Sequence, residues 1–107
     1  MKIPTDAIIP EPKIKQYLLV FKEKNDKSKY LSRAGFTAAN PEALEREIRR
    51  IIQENDAIYE KTDRYGAHYL VNGTLIGPNG VDLAVTLVWL RRAADREFQF
   101  ITLKPGG

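Results

Sequence analysis

The sequence has no cysteine, one histidine and one tryptophan. Without cysteine there is neither a disulfide nor a thiolate metal site, a usage that fits a reducing compartment. His68 stands alone, and no carboxylate cluster lies at ligand spacing, so no metal constellation is expected. Long apolar runs are also missing, and none of the short ones would span a bilayer. Residues 1–13, MKIPTDAIIPEPK, lack the apolar stretch of a secretory signal. The expected setting is cytoplasmic, with no membrane partner and no cofactor. A phosphate-cradling loop is lacking too: GPNG (77–80) is too short and opens no lysine-bearing helix.

What is present suits one α+β domain over 1–107. Of the 107 residues, 43% are hydrophobic and 29% charged, enough apolar surface for a core without covalent staples. The first half is helical. Ile14, Tyr17, Leu18 and Phe21 recur at i, i+3, i+4 and i+7, which predicts a helix over 10–20 behind Pro10 or Pro12. A second helix is expected over 26–34, capped by Asn25 or Asp26 and ended by Gly35 in a left-handed conformation. The third, 41–54, is the clearest. Asn40 suits its N-cap and Pro41 its first turn, and Leu44, Ile48, Ile51 and Ile52 make one stripe. Glu42–Arg46 and Glu45–Arg49 stand at i,i+4 in the favoured order.

From Ala57 the period falls to two. Strands are expected over 57–65, 67–76, 81–91 and 96–103, separated by Gly66, GPNG and AAD (93–95). Short connections favour an antiparallel meander under the helices. In the third strand, Val81, Leu83, Val85, Leu87 and Trp89 are expected to face the helices. Asp82, Ala84, Thr86, Val88 and Leu90 then face away. That second row is too apolar for a wholly wet face, so it points to a cover: a helix, a second subunit of a homodimer, or a ligand. In the fourth strand Phe98, Phe100, Thr102 and Lys104 alternate against Gln99, Ile101 and Leu103.

Charge is uneven. Residues 1–40 hold eight Lys/Arg against four Asp/Glu, and 41–107 hold nine against ten. The basic first third suits an anionic partner such as RNA, although lysines on wet helix faces look the same. A Ser/His/Asp triad would have to combine Ser28 or Ser32 with His68, and nothing positions them. The residue types that remain suit RNA cleavage without metal, through transfer of the phosphate to the ribose 2′-hydroxyl. That reaction needs a base, a cation for the charged intermediate and an acid for the leaving oxygen. The candidate catalytic residues are Lys29, to hold the phosphate, His68, with Lys27, as acid or base, and Thr102, to position the substrate. Lys27, Thr86 and Lys104 are the candidate binding residues. Each also has a plainer reading: His68 as a half-buried strand residue, the lysines as solvated surface, the threonines as good strand formers. Trp89 reads as core or interface rather than a base-stacking platform.

The segments IPTDAIIPEPKIKQYLLV, DKSKYLSRAGF, YGAHYLVNGTLIGPNG, VTLVWL and FQFITLKP together carry a resemblance that spans nearly the whole chain. They resemble a family of small uncharacterised bacterial domains, some free-standing and some at the C-terminal tips of polymorphic-toxin or adhesin proteins. The layout, helices and then four strands, is similar to metal-independent ribonucleases of the barnase, colicin and RelE type. The resemblance implies a toxin-like activity and a small antitoxin-like protein partner. Lys27 and Lys29 match the family's paired lysines, and Thr102 and Pro105 its closing motif. Thr86 stands where toxin-tip members have arginine, and Lys104 where they have tyrosine. Losing a planar guanidinium removes a phosphate clamp that threonine cannot replace. The sequence therefore favours a binding or assembly module without catalysis, with the ribonuclease as the alternative.

Overall fold

A computed structural model describes residues 1–19 and 27–106, except for the side chains of Gln16 and Tyr17. Its strands are β1 (Ile58–Asp63), β2 (Gly66–Ile76), β3 (Asp82–Arg92) and β4 (Phe98–Pro105), each antiparallel to the next in the order β1-β2-β3-β4. The expected meander is there, with its boundaries moved by at most two residues. A parallel bridge from Ile8 adds to the β4 edge: Ile8 N–H donates to Phe98 C=O, and Phe100 N–H to Ile8 C=O, both at 2.8 Å.

The helices lie on one face. α2 (Pro41–Glu54) buries Leu44, Ile48, Ile51 and Ile52, the stripe read from the sequence. Asn40 precedes Pro41 as expected, but its side chain makes no bond into the helix. Its Oδ1 accepts the Thr37 N–H at 2.9 Å, so it closes the turn before the helix instead. Of the two expected pairs, Glu45–Arg49 forms at 3.7 Å. Glu42–Arg46 does not, and it is Arg50 that bonds two carboxylates, Glu47 and Glu54. α1 is shorter than expected, Ser28–Ser32, with Gly35 beyond it at φ 90° as the left-handed stop. The expected caps Asn25 and Asp26 lie outside the described residues, as does Phe21.

The first helix departs most from expectation. Lys13–Leu18 is a π-helix, and its wide turn is visible in Leu19 N–H donating to Ile14 C=O at 3.2 Å. Ile14 and Leu18 reach the core as the period of 3.6 predicts. The wider turn brings Leu19 in as well. The inner row of β3 is buried from Leu83 to Trp89, while Val81 falls in the preceding turn and is exposed. These residues join Val71, Leu75, Phe98, Phe100 and Leu103 under the helices. A fully buried side chain of this size stabilises by about 2 kcal/mol, so this one layer supplies most of the driving force.

In β4 the simple alternation fails. The register shifts between Val88 and Trp89: Val88 pairs with Thr102 but Trp89 with Phe100, so Ile101 is the extra residue of a bulge. Leu103 thereby joins Phe98 and Phe100 inside, and Thr102 and Lys104 turn to the outer face. The strict alternation expected for 98–104 is corrected by that one residue, which costs a strand one step of phase.

β1 is shorter than β2 and its pairing stops at Ile58–Leu70. Farther along, α2 side chains satisfy the free β2 edge. Glu47 Oε1 accepts the Ile76 N–H at 2.7 Å, and Arg50 Nη2 donates to Thr74 C=O at 2.7 Å. Burial pushes the Glu47 carboxyl up, but the Arg50 guanidinium and the Ile76 N–H outweigh it and hold it below its ordinary value. A depressed carboxyl contributes stability that is present above its unfolded pKa, about 4.3, and is lost as pH falls through the folded value. Glu47→Gln is therefore expected to lower stability by about 1 kcal/mol at pH 7, with the difference closing below about pH 4. Thermal melts followed by circular dichroism across pH 3–7 check this. A difference that does not change with pH would refute the assignment.

Candidate functional site

The outer face of the sheet is built in rows across the strands. One row runs Ile58–Leu70–Val88–Thr102, and the next toward the β2–β3 turn runs Asn72–Thr86–Lys104. On the other side lies Lys61–His68–Leu90–Gln99. Each row follows from period two in β2 and β3, and the bulge at Ile101 brings Thr102 and Lys104 into line with them.

Four of the six residues singled out in the sequence meet here. Lys27 Nζ donates to Thr102 Oγ1 at 2.8 Å, a contact across 75 residues of chain. Thr86 and Lys104 are cross-strand neighbours one row away, with Cβ atoms about 5 Å apart for such pairs. Thr86 Oγ1 donates to Asn72 Oδ1 at 2.7 Å, which orients the hydroxyl. Asn72 was not picked out in the sequence, and only its cross-strand register reveals it.

His68 stands apart. It faces outward, but two strands and one row separate it from Thr102, roughly 12 Å from strand spacings. Its Nε2 lies 2.9 Å from Asp63 Oδ2. The Asp63 carboxyl is held below its ordinary value, first by the Tyr65 N–H on Oδ1 and then by His68, against the opposing effect of burial. Asp63 was also missed in the sequence, where it falls inside the first expected strand. Lys29 is an exposed residue of α1, and its carbonyl accepts the Ser32 hydroxyl at 2.8 Å.

The arrangement places two lysines and two threonine hydroxyls on the outer face. It is suited to holding an anion or a carboxylate-bearing surface. Beside these groups runs an apolar strip. Val88 is only 7% exposed, Leu70 and Leu90 are half-buried, and none of the three belongs to the core under the helices.

A cavity of about 470 Å³ lies elsewhere, between the N-terminal segment and α2. Of its charged residues, Glu11 pairs with Lys15 and Glu45 with Arg49. Arg49 Nη1 also donates to Thr5 and Ala7 carbonyls at 3.1 and 3.0 Å, so this region clamps the N-terminal segment. Among the described residues no helix is long and apolar enough to cross a membrane.

No curated protein gives a significant match to this chain. Among solved structures, the fold is similar to a chain of a contact-dependent growth inhibition toxin–immunity protein complex from Klebsiella pneumoniae 342. The TM-score is 0.67 at 16% identity, over 95% of both chains, a likeness of fold. In sequence, residues 4–107 match the family model described as Domain of unknown function (DUF6883), and the chain belongs to that family.

Proposed function

We propose that this domain is a non-catalytic binding module of toxin ancestry that docks a small acidic protein on its outer sheet face. The observation that carries the reading is the strip Leu70–Val88–Leu90, apolar and outside the core, bordered by Lys27 and Lys104. An apolar centre with a cationic rim is the anatomy of a protein interface, and the basic rim selects an acidic partner. The likeness to a chain of a toxin–immunity complex supports a protein partner of that kind. The experiment is co-expression with small acidic proteins of the same genome, followed by size-exclusion chromatography with light scattering. A one-to-one complex is expected, lost in Leu70→Asp/Leu90→Asp while the variant's melting temperature stays within a few degrees. A monomer that captures nothing, or a complex indifferent to both substitutions, would remove the reading.

The Lys27–Thr102 contact favours a second reading, a metal-independent endoribonuclease. Lys27 would stabilise the phosphorane, Thr102 and Lys104 would position the strand, and His68 or Lys29 would complete the proton and phosphate contacts. On RNA in EDTA, cleavage to 2′,3′-cyclic phosphate ends is expected, about 100-fold slower in Lys27→Ala. RNA left intact by the unaltered protein excludes it.

A further inference from the structure

Arg91, Arg92 and Arg96 converge with Thr62 and Asp63 on a cavity of about 250 Å³ at the end of the sheet where the β1–β2 and β3–β4 hairpins turn. We propose that this cavity binds a phosphate group of a single-stranded nucleic acid. Neither reading above uses these residues.

Three arginines among the lining residues of one small cavity concentrate positive charge there, which is unfavourable unless anions neutralise it. Arg92 has its anion: Nε and Nη2 donate to the two Asp95 oxygens, and Nη1 to Gln99 Oε1. Arg91 and Arg96 make no side-chain hydrogen bond or ion pair among the described residues. Asp63, a carboxylate on the cavity wall, is already engaged, with Oδ1 on the Tyr65 N–H and Oδ2 on His68. Two arginines of the cavity lining thus have no anion among the described residues, and a guanidinium fork matches phosphate geometry.

The backbone gives a second, independent observation. Arg96 has φ 63°, the single non-glycine residue with positive φ among those described. Hairpin loops commonly place glycine or asparagine at such positions, because L side chains are strained there. The surroundings hold it: Arg96 N–H donates to Arg92 C=O at 2.8 Å, and Arg92 N–H to Glu97 C=O at 2.9 Å. Strain kept at a charged residue of a cavity lining is a mark of use.

The cavity is smaller than the roughly 300 Å³ of the smallest drug-sized pockets, so it admits a phosphate and leaves the rest of the ligand outside. Beside it are two rings, Tyr59 at 56% and Tyr65 at 59% exposed. The Tyr59 hydroxyl is 2.6 Å from Thr62 Oγ1 on the cavity wall, and Arg64 lies 4.9 Å from the Tyr65 ring centre. Exposed aromatic rings next to a cationic recess are the means by which proteins hold single strands, bases stacked and phosphates paired.

Fluorescence anisotropy with labelled decauridylate at about 50 mM salt tests this. Arg91→Gln/Arg96→Gln is expected to weaken binding at least about tenfold and to flatten the log affinity–log salt slope by about 1.4, for two phosphate contacts. Tyr65→Ala is expected to weaken binding about fivefold or more. Arg96→Gly separates site from fold: it relieves the positive φ and raises the melting temperature by about 2–5 °C, yet weakens binding. No binding by the unaltered protein, equal binding by the arginine double variant, or inorganic phosphate binding as tightly as the oligomer would each overturn the proposal.

Discussion

Replacing Trp89 by alanine is expected to cost about 3–5 kcal/mol, a large part of the total stability of a domain this size. Trp89 has no exposed surface and meets Phe100 edge-to-face at 5.4 Å between ring centres. It pairs with Tyr69 on one side and Phe100 on the other, so its loss opens a cavity that spans three strands. Bulged strands relax poorly into such cavities, because the register shift beside Trp89 already fixes both neighbours. The melting temperature should fall by about 15–30 °C. Trp89→Phe is expected to cost much less. The indole Nε1 is buried with no hydrogen-bond partner among the described residues. Removing an unsatisfied donor regains part of its desolvation cost, about 1–3 kcal/mol, against the smaller void. Urea denaturation followed by circular dichroism gives both numbers, and equal losses for the two variants would show that the orphan donor carries no cost.

Gly77→Ala is the second substitution with a large expected effect, about 2–3 kcal/mol. A Cβ at position 77 would lie 2.0 Å from the Ala34 carbonyl oxygen and 2.4 Å from the Ala34 Cβ. Ala34 is fully buried, so it has no room to yield. The same turn grips the end of α1 through Asn79, whose Nδ2 donates to Arg33 C=O at 3.0 Å. The GPNG stretch is thus a dock for α1. Gly80→Ala is the control: Gly80 has φ 85° but nothing within 4 Å of its would-be Cβ, so only left-handed strain of about 1 kcal/mol is expected. Chemical denaturation of the two variants side by side checks the order. A Gly80 variant that loses as much as the Gly77 variant would show that conformation, not the α1 contact, governs the turn.

The fold was readable because its signals are local. The stripe on α2, the alternation in β2 and β3 and the turn residues Gly66 and Asn79-Gly80 each report on neighbours a few positions away. The candidate site was only partly readable. Lys27, Thr86, Thr102 and Lys104 were named from chemical type, and their meeting depends on contacts between distant parts of the chain. His68 was named for the same reason and lies a row away on Asp63. Arg91 and Arg96 gave no signal beyond charge, since a solvated hairpin has the same composition.

Amino-acid order alone thus determined three helical segments, an antiparallel meander and the inward row of β3, because periodicity and turn chemistry act within a few residues. Only tertiary structure decided that Ile101 bulges, that Thr102 and Lys104 consequently face outward with Thr86, and that Arg91, Arg92 and Arg96 line one cavity. The physical reason is register. One unpaired residue in β4 reverses every side chain on one side of it, and its place is set by how Phe98, Phe100 and Leu103 fill the core together.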